Sequence, residues 1–170
     1  SGDQGVNISG ANVSATKGMT LVSEQGTISV KENSNVISEQ DMILWAHDGV
    51  AVGEAEGATD SSKLESVNGS LSAVAVYGDV NIGELAAADM VAAGSGTGNV
   101  VIGSVDGKSV VLYTEGAGKL VTAGNVKVKD ALVLQGDNIT ATNVDRSENN
   151  GQLLVDLTGS AGGAMKGELN

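Results

Sequence analysis

The sequence predicts an all-β solenoid, and three observations carry that prediction. Apolar and polar residues alternate in short runs along nearly all of the 170 residues, the period-two signal of a half-buried strand. Turn-led segments start at Gly5, Gly26, Gly49 and Gly69, spaced 21, 23 and 20 residues apart, and a repeat near twenty residues is what stacked solenoid rungs leave in a sequence. The chain holds 25 Gly but no Pro, Cys or Phe, and Trp45, Tyr77 and Tyr113 are its only aromatic residues. A compact globular core usually relies on aromatic side chains that bury ~150–250 Å² each. A narrow interior of stacked Val, Ile, Leu and Ala does not need them. At 41% hydrophobic residues the chain is too apolar for a disordered polymer.

The strands can be justified in order. Residues 6–8, 13–15, 19–21, 27–30, 36–37, 42–46 and 50–52 alternate or run apolar, with Gly, Asn, Asp or Ser between them to supply positive φ or to cap a turn. The second half continues with 71–77, 80–82, 100–105, 110–113, 120–121, 126–128, 132–134, 139–144 and 153–157. Residues 84–93 are rich in helix formers, but the strand rhythm resumes on both sides. Two short strands through a corner are the favoured reading over a helix. Residues 54–66 are polar and weakly patterned, and are expected to form a loop that leaves the rod. A shorter excursion is expected at 147–151. The whole of 1–170 then forms a single segment of roughly eight rungs, a rod on the order of 40 Å long. Because Pro would delete a ladder hydrogen bond at almost any position, its absence fits this architecture.

Charge narrows the partners. Against 9 Lys and Arg stand 21 Asp and Glu, a net charge of −12, so nucleic acid is not an expected partner. No window approaches the ~20 apolar residues of a membrane helix, and no membrane insertion is expected. The chain starts without Met and is read as a segment of a longer polypeptide. With no Cys, disulfide frameworks, thiolate metal sites and cysteine nucleophiles are excluded.

The rhythm of residues 130–144, 26–30 and 41–50 resembles the repeats of filamentous-haemagglutinin-like adhesins, the large exoproteins exported by two-partner secretion. That resemblance covers most of the chain and is one of rhythm rather than of a unique motif. It implies a right-handed parallel β-helix on the outer surface of a Gram-negative bacterium, or secreted from it. It also implies an outer-membrane transporter partner for the parent protein, and work in attachment to host cells or other bacteria through a protein or glycan receptor. Some relatives carry a contact-dependent toxin on the same rod, so the alternative is a passive spacer that presents a distal domain. The repeat contributes no catalytic residues and no cofactor.

Trp45-Ala46-His47-Asp48 is the most distinctive cluster, and alternation puts Trp45 and His47 on one face of a strand. A hydrolytic triad needs nucleophile, base and orienter within mutual reach, which this adjacency does not supply, so Trp45 and His47 are read as a contact surface. Asp48, Glu54, Glu56 and Asp60 are hard oxygen ligands gathered within a short stretch, as Ca²⁺ requires. No Ca²⁺-loop motif accompanies them, and a solubilising acidic loop is the ordinary reading. Gly94-Ser95-Gly96-Thr97-Gly98 lacks the Lys of a phosphate-binding loop and reads as a corner. No enzymatic activity is expected. A polysaccharide-cleaving groove would have to bring Arg146, the only Arg, together with Lys and carboxylates. Open rod ends would favour end-to-end self-association.

Overall fold

A computed structural model of the chain describes residues 4–54, 59–116, 119–145 and 166–169. Three strands make each of the first turns: β1 (Val6–Ser9), β2 (Asn12–Ala15) and β3 (Met19–Ser23), then β4 (Thr27–Lys31), β5 (Asn35–Ser38) and β6 (Met42–Ala46), then β7 (Gly49–Val52), β8 (Lys63–Ser66) and β9 (Leu71–Ala75). The fourth turn has two, β10 (Val80–Ala87) and β11 (Met90–Ser95), and the fifth and sixth are one long bent strand each, β12 (Val100–Thr114) and β13 (Leu120–Gln135). A seventh begins with β14 (Asn138–Asp145), and β15 (Lys166–Leu169) pairs with it. Every pairing is parallel. The chain is an all-β parallel β-helix.

In the first sheet Val6, Ile28, Val50, Val80, Val100, Val121 and Ile139 lie in register, which sets rungs of 22, 22, 30, 20, 21 and 18 residues. Six complete turns are therefore present in the first sheet among the described residues, and the pairing of β15 on β14 carries the stack one layer further in the second. The third rung is long. Because of it Gly69 does not open a rung; it precedes β9 and lies against Asp41, one turn back. The fourth rung opens instead beyond Gly78, whose Cα packs on the Asp48 carbonyl so closely that a Cβ has no room. The segment 84–93 divides between β10 and β11 as strands.

The excursion expected at 54–66 is shorter than that. Lys63–Ser66 is β8, paired with β5 on one side and β10 on the other, so the loop closes at Ser62. The second sheet buries one large apolar side chain per turn, Val36, Leu64, Leu85, Val105, Val126 and Val144 in succession. A strand with a single inward apolar residue hides in a polar sequence. The expected excursion 147–151 and strand 153–157 lie outside the described residues.

Packing follows from alternation. The first sheet sends in pairs such as Ile28 and Val30, Val80 and Ile82, or Val100 and Ile102, and the third sends in Met42 and Leu44, Leu71 and Ala73, or Val110 and Leu112. Each lies over its counterpart one rung away, at roughly the 4.8 Å of strand spacing. Corners need polar groups, because backbone carbonyls there lose their ladder partners. Buried hydroxyls take that role: Ser38 donates to the Lys17 carbonyl (2.7 Å), Ser66 to Gln40 (2.9 Å), Ser95 to Gly78 (2.6 Å) and Thr114 to Gly98 (2.7 Å). Between the first and second sheets, Gly83, Gly103 and Gly124 stack in register, letting β10, β12 and β13 bend without a break.

Candidate contact surface

Alternation in the third sheet turns three positions of each rung outward. Ile43, Trp45 and His47 come from the second turn, Ser72, Val74 and Val76 from the third, Ala92, Gly94 and Gly96 from the fourth, and Val111, Tyr113 and Glu115 from the fifth. The exposed large hydrophobic residues among those described are Ile43 (46%), Trp45 (38%), Val67 (39%), Tyr77 (60%) and Met90 (42%). All five lie on this sheet's outer face or on the turns that flank it. All three aromatic residues are there too, and none is in the core.

Two local arrangements fix the aromatic groups. Tyr77 follows β9 in the turn and donates its N–H to the His47 carbonyl (2.9 Å), which places the rings at 4.7 Å between centroids, tilted by 55°. His47 Nδ1 lies 2.6 Å from the Asp48 carboxylate, on the exposed side of the same turn. Farther along, Tyr113 lies across Gly94, on ground that any Cβ at that position would occupy. Burial of its ring, and then the charge of Glu115, push the Tyr113 hydroxyl above its ordinary pKa. Exposed carboxylates Glu24, Asp48, Asp79 and Glu115 line the turns that leave this sheet, with Lys119 the next cation along the chain after Glu115.

The sequence-predicted residues are thus only partly brought together. Trp45 and His47 share a face as expected, and Tyr77, Tyr113, Ile43, Val67 and Met90 join them. The register that gathers them depends on the length of the third rung, which alternation within one strand does not reveal. Among the described residues no hydroxyl bonds to the His47 ring, whose neighbours are Asp48 and Tyr77.

The acidic candidates are only partly brought together. Asp48 precedes β7, whereas Glu54 and Asp60 follow it and lie side by side, the Glu54 N–H donating to the Asp60 carbonyl (3.4 Å), and Glu56 lies outside the described residues. Glu54 accepts from the Thr59 N–H and hydroxyl (3.2 and 3.1 Å). The Asp60 carboxylate accepts from the N–H groups of Glu32 (2.9 Å), Asn33 (3.0 Å) and Ser62 (3.0 Å) and from the Ser62 hydroxyl (2.6 Å). Glu32 and Asn33 have φ of 59° and 57°, a left-handed turn built without glycine. Asp60 therefore staples the turn of the rung before it. Burial works against its charge, but the Ser62 hydroxyl and the backbone N–H groups of Asn33, Glu32 and Ser62 outweigh that and hold its pKa at about 2. No three His, Asp or Glu side chains converge as a metal site among the described residues.

A concavity of about 410 Å³ lies along the outside of the second sheet, where Glu84, Asp106, Asp145, Lys127 and Asn125 meet. Lys127 is paired with Asp106 (3.4 Å), and Asn143 donates to Asn125 (2.8 Å). Arg146, the residue that a polysaccharide-cleaving site would have needed here, lies outside the described residues.

Comparisons with known proteins yield no matching family model, no matching curated protein and no matching solved structure.

Proposed function

We propose that this chain is a rod segment of a large surface-exposed or secreted adhesin of a Gram-negative bacterium, of the filamentous-haemagglutinin-like kind exported by two-partner secretion, attaching its parent to host cells or to other bacteria. One observation supports contact rather than spacing: the exposed large hydrophobic and aromatic side chains among the described residues lie on one face of a three-faced rod or on the turns that flank it. A spacer has no use for such a face, and contiguous exposed apolar patches on proteins commonly mark interaction sites. The reading requires no cofactor and no catalysis. It includes a protein or glycan receptor and, for the parent, an outer-membrane transporter.

End-to-end association belongs to the same reading. Val6, Ile8, Val13, Met19 and Leu21 of the first turn are only partly buried, whereas their counterparts one rung on are fully buried. Strand addition at that turn, by a neighbouring rung of the parent or by a second copy of the chain, would cover them.

The test is binding of the fluorescently labelled chain to epithelial cells and to bacteria, with calcium and with chelator. Saturable binding that disappears in Trp45→Ala, while that variant keeps its β-rich circular dichroism, is the expected result. A folded chain that binds neither surface would identify a passive spacer. Deletion of residues 54–62 separates the loop from the sheet face, because Lys63–Ser66 belongs to the rung.

A further inference from the structure

We infer that the outer face of the third sheet takes a basic polypeptide segment that carries apolar side chains between its cations. This rests on the contact reading above and names the partner's chemistry.

A second copy of the chain is the first occupant to weigh. Five outward-and-inward positions per strand at ~3.3 Å and six rungs at ~4.8 Å give a face of about 400–500 Å². Two copies would bury under about 1,000 Å², less than the ~1,200 Å² at which stable interfaces begin. Each copy also carries a net charge of −12, and Glu24, Asp48, Asp79 and Glu115 edge the face itself. Like charges would meet across the contact. The same carboxylates disfavour a polyanion.

A neutral glycan needs hydrogen-bonding partners for its hydroxyls, since unpaired polar groups in a contact are costly. Across its middle the face offers Val74, Val76, Ala92, Gly94 and Val111, with Ser72 as the one hydroxyl among them. That ground suits apolar side chains.

Cations are what its edges suit. Trp45 is followed by His47 and Asp48, Tyr77 packs at a tilt on His47, and Tyr113 is followed by Glu115, so an aromatic ring and a carboxylate recur together near both ends of the apolar ground. A Lys or Arg placed there gains a cation–π contact and a charge partner at once. Trp45 and Tyr113 share an outward column three rungs apart, about 14 Å at the strand spacing. An extended peptide covers that distance in about four residues, so cations spaced four apart reach both ends while the residue midway between them, on the same side, lies on the Val, Ala and Gly ground.

Trp45 is the chain's only tryptophan, and its emission reports directly on this face. The whole chain is titrated at ~0.15 M salt with a synthetic peptide repeating Lys-Ser-Val-Ser, which sets Lys every four residues with Val between them on one side of an extended strand, and with one repeating Lys-Ser-Ser-Ser. The expected result is a saturable change in Trp45 emission with the first peptide, at least about tenfold weaker with the second. It should be lost in Ser72→Arg, which plants a cation on the middle of the face, and weakened in Tyr113→Ala. Equal responses to both peptides would reduce the effect to bulk charge attraction, and persistence in Ser72→Arg would place binding elsewhere. A response to maltohexaose but to neither peptide would make the ligand a glycan. Cell binding that requires Trp45, alongside no response to either peptide, overturns this partner class and leaves the contact reading standing. Peptide binding without cell binding does the reverse.

Discussion

Removing the Asp60 carboxylate is the sharpest test of how the long third rung is held to the one before it. Its oxygens accept from the N–H groups of Glu32 and Asn33, two consecutive non-glycine residues in the left-handed region. Asn33 in turn accepts from the Ser61 N–H (3.1 Å) and hydroxyl (2.9 Å), so the two turns grip each other. The ordinary carboxyl pKa of 3.8 falls to about 2 in the folded chain. A shift of that size corresponds to roughly 2 kcal/mol favouring the folded state when Asp60 is ionised, and about 1–2 kcal/mol once solvent screening is allowed for. Because the folded pKa lies below the unfolded one, this stabilisation is fully present above the unfolded value of 3.8 and is lost as pH falls through about 2. Asp60→Asn keeps one acceptor oxygen and the shape, and should cost about 1–2 kcal/mol at pH 7; Asp60→Ala removes every cap and should cost somewhat more. Urea unfolding followed by Trp45 emission reads this in the affected turn, since Trp45 and the Glu32–Asn33 corner belong to the same rung. The decisive comparison is Asp60→Asn against the parent chain across pH: the gap seen at neutral pH should close near pH 2. A gap that persists unchanged in strong acid, or none at pH 7, would refute the capping role.

Other positions give independent checks. Leu44 is fully buried and Ile43, its neighbour, points outward, so Leu44→Ala should cost about 2–5 kcal/mol in urea unfolding and Ile43→Ala under about 0.5 kcal/mol. Gly78→Ala would drive a Cβ into the Asp48 carbonyl oxygen, backbone that cannot yield cheaply. That variant should lose β content by circular dichroism or unfold at markedly lower urea. In a Tyr77→Phe background, Glu115→Gln should lower the Tyr113 pKa in an ultraviolet titration while leaving part of the upward shift, because burial, the larger cause, is untouched.

The fold was legible because its rule is local. Alternation in Met42–Ala46 or Val80–Ile82 states which side faces in, and a repeat near twenty residues follows from stacking such units. Two features escaped. Lys63–Ser66 has one inward apolar residue, Leu64, which is all the second sheet requires and too little to register as a strand. Rung length is not legible at Gly69, because an inserted loop shifts the count without changing the local pattern. The contact face was half legible. Trp45 and His47 share a strand, so their common side follows from alternation, but Tyr113 reaches the Trp45 column only through the register of three successive rungs. The separation of Asp48 from Asp60 by β7 was equally invisible to spacing in sequence.

A β-helix constrains its sequence unevenly, and that unevenness is informative. Inward positions must be aliphatic to stack, and corners must supply hydroxyls or Gly, as Ser38, Ser66, Ser95 and Gly78 do. Outward positions answer to neither demand. On the second sheet they are mostly polar, with Glu65, Glu84, Asp106 and Lys127 against Ile37 and Ala86, close to what solvation alone would favour. On the third sheet, under the same freedom, they carry Ile43, Trp45, Val74, Val111 and Tyr113, and Gly94 clears the ground on which the Tyr113 ring lies. Folding does not explain that choice, because none of these side chains stacks in the interior. Exposed apolar surface of this kind also raises the hazard of aggregation, a standing cost to a rod that is otherwise protected by its negative charge. The fold does not need this feature and solubility opposes it, so the proposed contact accounts for the face where a spacer's polar surface would not.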